Sequence, residues 1–136
     1  MKKYAFMSAN IAGFLIVYIV SRQFFQDVYL PEWTRRNAYL YVWIAVIFFD
    51  LLEKHFRSVS ISVGNIVGIV VGQVAGDAIV RHNIKKIRPE ILPGKIEQLR
   101  SHPGVLIWIC TILIFYVVGT LLEKASKETG TGEANG

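Results

Sequence analysis

Apolar residues in this chain gather into four long runs separated by polar, charge-bearing stretches. The runs cover approximately residues 4–20, 38–52, 61–80 and 105–122. They are clustered, without the scattered period of a soluble core, and this is the signature of a polytopic membrane protein. At ~1.5 Å rise per residue, runs of roughly 15–20 residues reach across, or nearly across, the hydrocarbon of a bilayer. Lipid offers no partner to a backbone N–H or C=O, so each run is expected as a helix. The expected fold is all-α: an integral membrane four-helix bundle occupying residues 1–122, followed by a flexible polar tail, 123–136.

The third run is the most informative. Gly64, Gly68, Gly72 and Gly76 recur every four residues within ISVGNIVGIVVGQVAGDAIV. A step of four advances a helix ~40° past a full turn, so the glycines form a slowly drifting stripe, a glycine zipper, joined by Ala75. Small residues let two helix backbones approach closely in lipid. Val63, Val67, Val70, Val71, Val74 and Ala78 point the other way, toward lipid. Between the two faces runs a second ladder, Asn65, Ile69, Gln73 and Asp77, whose polar members suit hydrogen bonds to a neighbouring helix or, alternatively, the lining of a pore.

The connections add detail. The first run follows Met1-Lys2-Lys3 as a signal peptide would, but no small-x-small cleavage site follows it, so it is expected to be retained as a span. Residues 21–37 mix Phe24, Phe25, Tyr29 and Trp33 with charges, as the headgroup zone does, and Pro31 is expected to break any helix there. The second run ends at Asp50. Asp50 reads either as an intramembrane acid or, the preferred reading, as part of a solvated helix end with Asp50–Lys54 and Glu53–Arg57 pairs at i,i+4. A tight turn is expected at Ser58–Ser60. Asp77 is likewise either an ion-linked carboxylate or, preferably, the i,i+4 partner of Arg81. The longest connection, residues 81–104, carries Arg81, Lys85, Lys86, Arg88, Lys95 and Arg100 against Glu90 and Glu97, with Ile and Leu interleaved. Pro89 and Pro93 divide it. Broken amphipathic turns lying on an anionic membrane surface are expected.

Composition narrows the function classes. The chain has 136 residues, 53% hydrophobic, with a formal net charge of +5. That length leaves no room for a separate soluble domain. In a membrane protein a basic balance points to orientation and anionic lipid before nucleic acid. The single cysteine, Cys110, allows no internal disulfide. His55, His82 and His102 lack metal-ligand spacing, and no nucleotide loop, nucleophile elbow or zinc-protease motif is present, so no cofactor, metal or enzymatic activity is expected. The first and third connections carry nine Lys/Arg against six at the opposite side, which favours both termini outside the cell. The expected role is a structural or accessory subunit of the plasma membrane, in a homo-oligomer or with a membrane partner; the rival is a small oligomeric, holin-like channel with Asn65, Gln73 and Asp77 facing water.

Overall fold

A computed structural model describes residues 2–88 and 93–132. The described residues form six helices joined by short turns, with no strand: α1 (Lys2–Phe24), α2 (Tyr29–Asn37), α3 (Tyr39–Leu51), α4 (His55–Ile84), α5 (Pro93–Arg100) and α6 (Gly104–Gly132). Three of them, α1, α4 and α6, are long and apolar enough to cross a membrane. The second apolar run is shorter: α3 has 13 residues, about 20 Å at the rise of an α-helix and less than a hydrocarbon core.

The helix boundaries correct three expectations. Pro31 does not break a helix; it is the third residue of α2. Its missing N–H falls in the first turn, where no intrahelical acceptor is available anyway. Ser58–Ser60 make no turn and lie inside α4. The chain reverses at Leu52–Lys54 instead, with Glu53 at φ 59 and the Lys54 amide donating to the Phe49 carbonyl at 2.9 Å. Finally, α6 continues to Gly132, so residues 123–132 are helical where a flexible tail was expected. Residues 133–136, and Pro89 and Glu90 within the basic connection, lie outside the described residues.

The helix α4 is the central post, and α6 lies antiparallel along it. Gly64 faces Phe115 and Ile112, Gly68 faces Trp108 and Thr111, and Gly72 faces Gly104, while at the other end Gly119 of α6 receives Ser60 and the Phe56 carbonyl. On a second side, α3 and α1 pack through Val46, Phe14 and Ile61; α2 adds Leu30 to Ile69 and Trp108. Val42 and Ile112 touch both clusters and join them. Outside this slim core the surface is aliphatic: Val63, Val70, Val71 and Val74 of α4 and Leu113, Ile114 and Val117 of α6 are exposed. An apolar exterior of this extent is what lipid requires and water penalises.

Chain direction follows from the contacts. Phe6 of α1 stacks on His55, and Glu123 of α6 pairs with Arg57, so the first turns of α1 and the Glu123 stretch of α6 approach the start of α4. The Leu30 amide meets Gln73 and His102 meets Asp77, so the first and third connections lie together at the other end.

Candidate functional site

Polar side chains on α4 fall into three levels, each tying it to different neighbours. At the level near its start, Asn10 of α1 is the hub. Its Nδ2 donates to Asp50 Oδ2 and to Ser58 Oγ, both at 2.8 Å, and its Oδ1 accepts from Ser62 Oγ at 3.2 Å. An amide has two donors and one carbonyl oxygen, and all are in use. Asp50 is fully buried, with His55 Nδ1 a long 3.5 Å from its other oxygen. The expected solvated helix end is therefore not found, and Asp50 turns inward to Asn10 and His55, not to Lys54. The reason is the position of the turn: with the reversal at Leu52–Lys54, Asp50 is the last inward-facing position of α3. Ser58 and Ser62, one turn apart on α4, present hydroxyls to the same point.

A second tie holds the same end. Arg57 Nε lies 2.7 Å from Glu123 Oε2, and Lys127 reaches the other Glu123 oxygen at 3.1 Å. The Arg57 guanidinium also sits 6.0 Å over the Tyr116 ring, within cation–π range.

At mid-height, Trp108 Nε1 donates to Asn65 Oδ1 at 3.0 Å, and both residues are buried. An indole N–H in an apolar core needs such an acceptor.

The third level serves the opposite end. Gln73 Nε2 donates to Asp77 Oδ2 at 2.9 Å, while Gln73 Oε1 accepts the Leu30 amide at 2.7 Å. His102 Nδ1 accepts the Gly104 amide at 3.1 Å, which leaves the proton on Nε2; that nitrogen then donates to Asp77 Oδ1 at 3.2 Å. Leu30 and Gly104 lie in the first turns of α2 and α6, so this network satisfies N-terminal amides that have no intrahelical acceptor. Arg81 donates from Nε to the Asp77 carbonyl, 3.3 Å away, while the carboxylate oxygens go to Gln73 and His102. The expected side-chain pair is thus a backbone contact. Gly76 has a special part here: a side chain on it would overlap the His102 ring. The last glycine of the stripe seats an imidazole, and the other three face the helix α6.

The structure thus brings Asn65, Gln73 and Asp77 into bonds with α2, α6 and the segment before α6. Of the basic connection, Lys85, Lys86, Arg88, Lys95 and Arg100 are exposed, with α5 the one helical piece described between α4 and α6. Asn10, His55, Ser58, His102 and Glu123 were not singled out by sequence reasoning as site residues. The one available signal was that Asn10, Ser58 and Ser62 are polar residues inside or beside apolar helices, which lipid tolerates only when they are paired. No group of three or more His, Cys, Asp or Glu able to hold a metal occurs among the described residues. Cys110 is exposed on α6.

Replacing Gln73 with Leu leaves the Leu30 amide and one Asp77 oxygen short of a partner. A loss of ~1–2 kcal/mol is expected, the size of a polar contact between helices in lipid. Unfolding of the purified protein in a detergent titration measures it, and unchanged stability would show that the α2 amide does not depend on Gln73.

Comparison with known protein families, curated proteins and solved structures finds no match for this chain.

Proposed function

We propose that the protein is a small multi-pass membrane protein acting as a structural or accessory subunit. Its rigid part is the glycine zipper of α4 against α6. One observation carries this reading: the polar edge of α4, which a channel would turn to water, is spent inside the chain on Trp108, the Leu30 amide and His102. Side chains so committed brace helices and leave little to line a conduit.

The second crossing is assigned to α3, which α2 enters from the headgroup level, where Glu32, Arg35 and Arg36 stay out of the hydrocarbon. The basic ends of the first and third connections then share the cytoplasmic face, with both termini outside, in the plasma membrane. The working surface is the outer side of α1 and α4. There a crevice of about 540 Å³, lined by Ile16, Val17, Val20, Ile66, Val70 and Val74 among others, opens between helices that touch little. An apolar crevice of that size suits the ridge of another transmembrane helix, from a second copy or a different protein.

Two measurements test the reading. Liposomes carrying the purified protein should conduct no more than protein-free ones. Val74→Trp should abolish the protein's association with its membrane partner or with itself, as read by crosslinking in native membranes, while leaving helicity intact. Unitary currents that vanish in Asn65→Leu would establish the channel reading in its place.

A further inference from the structure

Neighbouring arginines on α2 have different fates. Arg36 reaches Glu32, one turn back, at 2.7 Å. Arg35 has no ion pair or hydrogen bond among the described residues, and its Nε is buried. It lines a crevice of about 250 Å³ between α1, α2 and α3, whose other walls include Leu15, Tyr18, Leu40 and Trp43. Trp43 Nε1 and the Tyr39 hydroxyl are also buried without a hydrogen-bond partner, the hydroxyl lying beside the backbone of Tyr18. Leu15 and Leu40 are exposed, so the crevice opens on the lipid-facing surface.

A guanidinium in apolar surroundings is costly unless an anion answers it. None of the other residues lining the crevice is acidic, so the anion comes from outside them. Two features choose it. The aromatic and leucine walls suit a hydrocarbon chain, and the guanidinium, whose charge no lining residue offsets, suits a phosphate. The same end of the molecule carries exposed Arg22, Arg36 and the basic connection, which repel the ammonium of a zwitterionic headgroup. We propose that this crevice holds one anionic phospholipid, its phosphate on Arg35 and the start of an acyl chain between Leu15 and Leu40.

The full-length protein in nanodiscs of mixed phosphatidylcholine and phosphatidylglycerol tests this, with lipid retained on the released protein counted by native mass spectrometry. Wild type and Arg36→Gln should each retain one phosphatidylglycerol. Arg35→Gln should lower that retention about tenfold, the scale of one lost charge-assisted contact. Arg35→Lys, which keeps the charge with fewer donors, should fall between. Leu40→Trp, which fills the mouth and spares Arg35, should also lose the lipid, so the test survives if Arg35→Gln fails to fold. Equal retention of phosphatidylcholine, equal retention in Leu40→Trp, or displacement by inorganic phosphate alone would each overturn the proposal. So would an Arg35-dependent second protein chain in place of the lipid.

Discussion

Gly72→Leu should separate α6 from α4. Even a methyl group at Gly72 would stand 2.6 Å from Leu30 Cδ2 and 2.7 Å from the Gly104 carbonyl oxygen. A leucine tip can rotate away, but the carbonyl is backbone and moves only if α6 moves. A full leucine side chain must displace both α2 and α6, so the loss should reach the upper end of the ~1–3 kcal/mol typical of overpacking, or exceed it. Gly68 is a milder case, since a methyl group there would meet its nearest atom, Trp108 Cδ1, at 3.0 Å. Val70 is exposed on the far side, so Val70→Leu should stay within about 0.5 kcal/mol of wild type. Thermal unfolding in detergent compares the variants directly. Indistinguishable melting of Gly72→Leu and Val70→Leu would refute close packing at this face.

The Asn10–Asp50 contact should show the second large effect. An ordinary interhelical hydrogen bond in lipid averages only ~0.6 kcal/mol. Asn10 is more than that, because removing it strips a fully buried carboxyl group of its 2.8 Å donor and takes the same amide's donor from Ser58 Oγ, while Ser62 keeps only its bond to the Ser58 carbonyl. Asn10→Leu is therefore expected to cost ~2–4 kcal/mol, mostly the penalty of the stranded groups. The double variant Asn10→Leu with Asp50→Leu removes both ends of the contact and should cost less than the sum of the single variants by ~1 kcal/mol or more. Strict additivity in the double-mutant cycle would mean that the two residues act independently.

Much of the architecture is legible in the order of residues. Runs of apolar side chains force helices because lipid leaves the backbone no other partner. A four-residue interval places Gly64, Gly68, Gly72 and Gly76 on one side by the helix period alone, and the valines on the other. What α4 meets on its glycine side is not local information. Phe115, Trp108 and Gly104 lie some 30–50 positions further on, and only folding sets them opposite. Pro31 misleads when read as a breaker because its effect depends on its distance from the helix start. Ser58–Ser60 mislead as a turn because serine in lipid can answer its hydroxyl across a helix interface, here to Asn10.

The acidic residues show where sequence reasoning stops. Intervals of four placed a cation within reach of both Asp50 and Asp77, and on an isolated helix those pairs would form. The folded chain offers each acid something nearer: Asn10 from α1 for Asp50, and His102, seated in the hollow at Gly76, for Asp77. Sequence by itself determined that the chain is helical, that it carries runs apolar enough to cross a membrane, and which α4 side is smooth, because these depend on hydropathy and a fixed helical period. Tertiary structure alone decided which acids turn inward, which histidine matters and which arginine is left without an anion. Each of those outcomes depends on which distant donors the helices bring within about 3 Å, a range at which hydrogen bonds form or fail.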